Sequence, residues 1–189
     1  MKTNRNVTSV VMTFVLLFSV ATFAQSKEKT VQVGGAPMYP SKNIVENAVN
    51  SKDHTTLVAA VKSAGLVETL QSKGPFTVFA PTNSAFDKLP KGTVETLLKP
   101  ENIKTLQTIL TYHVLPGKFS AADIVAAIKA GNGKVEFKTV SGGKLTAMLK
   151  GKDVILSDEN GGKSKVTISD VNQSNGVIHV VDAVVTPKS

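Results

Sequence analysis

His54, His113 and His179 are the only imidazoles in a chain without cysteine, so they are the side chains that could titrate or bind metal near neutral pH. No two of them fall at the i, i+4 spacing that places two ligands on one helix face, and no zinc motif results. His179 lies inside the apolar run Val177–Val181, where a histidine reads as a hydrogen-bonded core group. His113, beside Tyr112 in a second apolar segment, reads the same way, whereas His54 just precedes a helical stretch and is expected to face water. The adjacent carboxylates Asp158 and Glu159 sit on a glycine-flanked polar turn, without the burial that raises the pKa of a general acid. There is no Gly-x-Ser-x-Gly elbow and no phosphate loop, and Gly131-Asn132-Gly133 lacks both the third glycine and the preceding strand of a dinucleotide site. These residues point away from catalysis, and neither a metal nor a cofactor is expected.

The bulk composition narrows the classes further. A chain of 189 residues with 41% hydrophobic content can bury one ordinary core. Lys2 and Arg5 precede a mostly apolar stretch that ends at the small residue Ala24, which predicts a signal peptide over residues 1–24 and an exported protein. An uncleaved membrane anchor is the alternative, although Thr8, Ser9, Thr13, Ser19 and Thr22 interrupt the run. No comparable run follows, so no integral membrane span is expected after cleavage. From residue 25 onward 20 basic residues, all lysines, face 14 acidic ones, a net charge of +6. Without arginine the planar fork for guanine and phosphate is missing, and seven Phe or Tyr with no Trp offer few stacking platforms, so nucleic acid is not an expected partner. The lysines are dispersed along the sequence, as on a solvated surface; attachment to anionic polysaccharide through them is the competing reading.

The elements that position these residues change character midway. Residues 25–40 carry a Gly pair and two prolines and read as a leader or linker, with order expected from Ser41. From there to Leu115 the spacing is largely helical, interrupted by a strand in Pro75–Pro81 and a second one in Tyr112–Leu115. Thr82, Asn83 and Ser84 can cap the helix that holds Phe86, Thr55 or Asp53 can cap the helix ended by Gly65, and Ser120 with Asp123 forms a capping box. After Lys134 short strands alternate with glycine turns, a meander. Helices first and strands later predict an α+β fold with a mainly antiparallel sheet.

The segments TVFAPTNSAF (Thr77–Phe86), Tyr112-His113 and NGVIHVVDAVVTP (Asn175–Pro187) together resemble the fasciclin domain family, in the family's order and at its spacing, over about residues 41–187. The resemblance implies a wedge or sandwich of β-strands with helices packed around it. It also implies a secreted, periplasmic or cell-surface role in adhesion, with an extracellular protein or polysaccharide as partner and weak self-association at most. It makes the first and last blocks neighbouring central strands, with Phe79, Thr82, Asn83, Phe86, Asn175, Gly176, His179 and Asp182 as structural positions. Positions tied to receptor binding in animal relatives fall on Tyr112-His113 and on Asp170-Val171, where valine replaces isoleucine; the literal Asp-Ile pair, Asp123-Ile124, stands at a helix start. A small-ligand carrier or hydrolase would instead need a closed polar pocket around His113 and His179.

Overall fold

In the computed structural model, which describes residues 28–188, the chain opens with a hairpin of β1 (Val31–Val33) and β2 (Ala36–Met38). Helices α1 (Ile44–Ala48), α2 (Thr55–Ser63) and α3 (Val67–Gln71) then precede strand β3 (Phe76–Pro81). Helices α4 (Asn83–Phe86), α5 (Thr93–Leu97) and α6 (Ile103–Tyr112) lead to β4 (Val114–Pro116), and α7 (Ala121–Ala130) follows. A meander of β5 (Lys134–Lys138), β6 (Lys144–Lys150), β7 (Asp153–Ser157) and β8 (Lys163–Gln173) ends in β9 (Gly176–Val181). The expected signal peptide lies outside the described residues.

The order in the seven-stranded sheet is 4-3-9-8-7-6-5, antiparallel throughout except for the parallel pair β3–β9, whose register runs from Phe76 opposite Gly176 to Pro81 opposite Val181. Both strands are apolar on both faces, as strands buried on both sides must be. Phe79 and Val181 point into a core shared with Ile124 and Ile128 of α7 and with Leu145, Ala147 and Leu156 of the meander. Val78, Ala80, Ile178 and Val180 point the other way, into a second core covered by Ile44, Val33 and Met38. The sheet curls far enough that Val140, beyond the end of β5, donates its N–H to the Val114 carbonyl of β4 at 2.8 Å. The architecture is the α+β type that the helix-then-strand pattern predicts.

Three local expectations change. Residues 31–38 belong to the folded body, because Val33 and Met38 are each 1% exposed and complete the second core. The hairpin is possible there because Gly34 and Gly35 take φ of 58° and 76°. Tyr112 is the last residue of α6 rather than a strand residue, with Leu106 and Leu110 carrying the same helix into its packing against α2, and the strand begins only at Val114. Helix α2 is capped from a distance: its own N-cap, His54, makes no side-chain cap, and the Asn83 carboxamide accepts the Thr56 N–H at 3.0 Å.

The parallel pair constrains one residue completely. A Cβ built on Gly176 meets the Phe76 carbonyl oxygen at 2.1 Å, and both atoms belong to the paired backbone. We predict that Gly176→Ala lowers the unfolding free energy in urea titration by about 1–3 kcal/mol, the cost of overpacking a close-packed core; an unchanged midpoint contradicts this register.

Candidate functional site

Tyr112 and His113 sit where α6 turns into β4. The Tyr112 ring is fully buried in the first core, and its hydroxyl donates to the Lys144 carbonyl. Burial pushes its phenol up to about 12. The glycine hairpin leaves room for the ring, since a Cβ on Gly143 would lie 2.8 Å from it. His113 is fixed by one donor and one acceptor: its Nδ1–H donates to the Ile109 carbonyl at 2.8 Å, and its Nε2 accepts the Val185 N–H at 3.1 Å. That pattern is satisfied only by the neutral ring. His113 also lines two apolar cavities, of about 70 Å³ and about 110 Å³, whose walls offer little to solvate a charge. Burial accordingly holds its pKa down at about 4.

His179 repeats the arrangement in the opposite tautomer. Its Nε2–H donates to the Phe119 carbonyl at 2.9 Å and its Nδ1 accepts the Asp170 N–H at 3.3 Å, while the ring stacks on Phe79 with centroids 5.7 Å apart. Burial lowers its pKa too. The Asp170 N–H is available because β8 bulges between Ile168 and Val171, where Asp170 takes a φ of 58°. The Asp170 carboxylate then accepts the Ala121 N–H at 2.8 Å, an acidic group at the first turn of α7. Next to it Val171 is wholly buried in the second core.

The remaining motif residues are joints between elements. Thr82 caps α4 by accepting the Ala85 N–H, and Phe86 and Phe79 fill core. Asn83 ties α4 to α2, donating to the Lys52 carbonyl at 2.8 Å while accepting from Thr56. Buried Asn175 satisfies three backbone groups before β9: it accepts the Ile44 N–H and donates to the Leu70 and Ser72 carbonyls, so α1, α3 and the central strand meet on one side chain. Asp182 accepts the Lys165 N–H at 2.8 Å and pairs with Lys88 at 3.5 Å. Ser120 and Asp123 complete the expected capping box, and Ile124 is buried beside it.

Of the four residues expected at a partner contact, Tyr112, His113 and Val171 are buried, His113 as part of a cavity wall, and only Asp170 is partly exposed. His54 is buried as well, contrary to its expected exposure, because the 3-10 turn Lys52–His54 rotates it inward. Its Nδ1 shares a 2.9 Å hydrogen bond with the Ser51 hydroxyl; its Nε2 lies near the Ala80 backbone without a hydrogen bond of normal geometry. The three histidines are thus in three separate places, and among the described residues no group of three or more His, Asp or Glu could hold a metal ion.

What does reach the surface is an apolar opening that the sequence pattern did not single out. The smaller cavity is lined by Val45 and Ala48 of α1, Leu57 and Val61 of α2, Leu70 of α3 and Val140. Val140 at its rim is 45% exposed, and Val49, directly after Ala48, is 48% exposed. Both look like ordinary core residues in sequence; only the register of the turn after β5 and the end of α1 turn them outward.

Comparison with known proteins agrees with this geometry. A model of the Fasciclin domain matches residues 52–187. Protein sll1483 of Synechocystis sp. is 46% identical over 163 residues, covering 86% of this chain and 83% of that protein. Transforming growth factor-beta-induced protein ig-h3 of Sus scrofa is 35% identical over 148 residues, 78% of this chain but 20% of its own length, so the match is one stretch of a longer protein. Immunogenic protein MPB70 of Mycobacterium bovis is 34% identical over 145 residues, covering 74% of this chain and 66% of its own. A solved structure of a domain pair from the insect cell adhesion molecule fasciclin I shares the fold, with a TM-score of 0.67 at 17% identity over 83% of this chain and 57% of that one.

The two clamped imidazoles predict acid lability. Because the folded pKa of His113 lies below the unfolded value, the unfolded chain binds the extra proton, and stability present above pH 6.5 is lost as pH falls from 6.5 towards 4. The loss attributable to His113 is about 3 kcal/mol. Urea titrations at pH 7.5 and 4.5 check this: wild type weakens on acidification, and His113→Leu, though weaker at pH 7.5, shows a flatter pH dependence.

Proposed function

Because the chain belongs to the fasciclin domain family, we propose that it is an exported adhesion module that attaches to extracellular protein partners by presenting a rigid surface, with no catalytic step of its own. The observation that carries this reading is the disposition of the side chains. Histidines, buried amides and the motif aspartates are engaged in holding elements together, whereas apolar side chains open outward at the cavity between α1, α2 and Val140. An apolar hole of this size, with exposed Val140 at its rim, accepts one apolar anchor side chain of a partner, the kind of contact that dominates protein interfaces. Single contacts of this sort are weak, and many copies on one surface raise the effective affinity.

The N-terminal segment that reads as a signal peptide supports an extracellular site of action, and among the described residues no helix is long and apolar enough to cross a membrane. The adhesion molecule with the same fold supports the class of function. Asp170, the partly exposed member of the expected contact, lies on β8 and contributes to shaping the bulge; its role at a partner surface is part of the same proposal.

Beads coated with the mature chain should adhere to extracellular matrix from the producing cells, and the soluble chain should compete poorly against the multivalent beads. Val140→Asp combined with Val45→Asp should cut adhesion by about tenfold or more, equivalent to roughly 1.4 kcal/mol per contact, with circular dichroism unchanged. Full adhesion by a folded double variant contradicts the groove as the contact.

A further inference from the structure

Some of the lysines that are dispersed along the sequence converge in space. The inward residues of the meander, Val135, Phe137, Leu145, Ala147, Val154 and Leu156, pack into the first core together with α7. Alternation therefore turns the intervening residues of β5 to β8 to the outer face, where Lys134, Glu136, Lys138, Lys144, Lys150 and Lys163 are exposed. Six lysines stand on that face: Lys134 and Lys138 on β5, Lys144 and Lys150 on β6, Lys163 and Lys165 on β8. Two carboxylates share it. Glu136 pairs with Lys144 at 3.2 Å and Asp153 with Lys165 at 2.7 Å. Asp158 and Glu159, at the turn between β7 and β8, are engaged elsewhere, with the backbone N–H groups of Thr186 and Lys188 at the C-terminal end.

Register makes the concentration of charge deliberate in its consequences. Lys138 lies directly opposite Lys144, a like-charged cross-strand pair that disfavours the sheet on its own. One row across the sheet reads Lys134, Met148, Ile155, Lys165, so apolar side chains are flanked by ammonium groups. Lys134, Lys138, Lys150 and Lys163 have no ion-pair partner among the described residues. With neighbouring strands about 4.8 Å apart, four strands span a face roughly 14 Å across, measured along the curved sheet. Four of the six positive charges in excess after residue 25 fall on it, counting six lysines against two acids here and 20 against 14 overall.

We infer that the outer face of the β5–β8 meander binds a linear polysaccharide carrying carboxylate or sulfate groups. Ammonium groups spread over the outside of a sheet match regularly spaced single anionic charges on an extended polymer, and lysine, as a point charge, does not demand the bidentate geometry that arginine reads in phosphate. The face offers no aromatic platform for bases, since Phe137 points inward. The inference stands apart from the apolar groove: it concerns other residues and another partner, and failure of either leaves the other intact.

The test measures binding of the mature chain to immobilised dextran sulfate and polygalacturonate, with neutral dextran as reference, at about 50 and 300 mM salt, where screening lengths shorten markedly. Wild type should bind both anionic polymers at low salt and lose most of that binding at high salt. The triple variant Lys138→Gln, Lys150→Gln, Lys163→Gln should bind at least about tenfold more weakly. The triple variant Lys62→Gln, Lys91→Gln, Lys104→Gln, with the same net charge but its changes on helices and loops, should lose less than about twofold. Equal losses in the two variants would mean net charge rather than this face, and would overturn the inference. So would absence of binding at low salt, or tighter binding to vesicles of phosphatidylglycerol than to either polymer.

Discussion

The structure depends on one parallel pairing. Strands β3 and β9 come from sequence blocks about a hundred residues apart, yet they align over six residues from Phe76–Gly176 to Pro81–Val181. Parallel neighbours cannot be joined by a tight turn, so everything between them must fold as an excursion that returns. Helices α4 to α7 and the whole meander are that excursion, and both cores are built on the two faces of the pair. Close approach of the backbones requires glycine at 176, and Asn175, immediately before it, anchors α1 and the end of α3 to the strand start.

This explains why residues that look chemically capable are structural. A buried imidazole with one nitrogen donating and the other accepting is a neutral cross-brace: His113 joins α6 to the segment after β9, and His179 joins the β8 bulge to the loop before α7. Such groups are costly to leave unsatisfied, which makes them determinants of a single arrangement. The surface is then free to vary without disturbing the frame, and the outward features, an apolar hole near α1 and a lysine face on the meander, lie on different parts of it.

Much of this was legible in the sequence where local physics decides. The strand at PFTVFAP, the Ser120–Asp123 capping box, the glycine-punctuated meander and the burial of His179 follow from residue type and spacing, and the core positions of Phe79 and Phe86 from the family resemblance. The failures share one cause, which is that tertiary placement overrode local pattern. Val31–Met38 reads as a linker because of its Gly pair and the prolines around it, but Val33 and Met38 each fill a core gap. Tyr112 looked like a strand residue because YHVL is β-prone, yet its ring is needed at the helix end beneath the Gly143 turn. His54 is turned inward by a 3-10 turn with no strong sequence signal. The lysine face could not be read from dispersion along the chain, because an antiparallel meander brings residues 134 to 165 side by side on one surface.

Native-state amide hydrogen exchange tests the central claim most directly. If the β3–β9 pair is the frame on which the rest is assembled, ladder amides in residues 76–81 and 176–181 exchange only by global unfolding, with protection equal to the unfolding free energy from denaturant titration. Exchange of either strand through a cheaper local opening, while the meander stays protected, would show that the frame lies elsewhere.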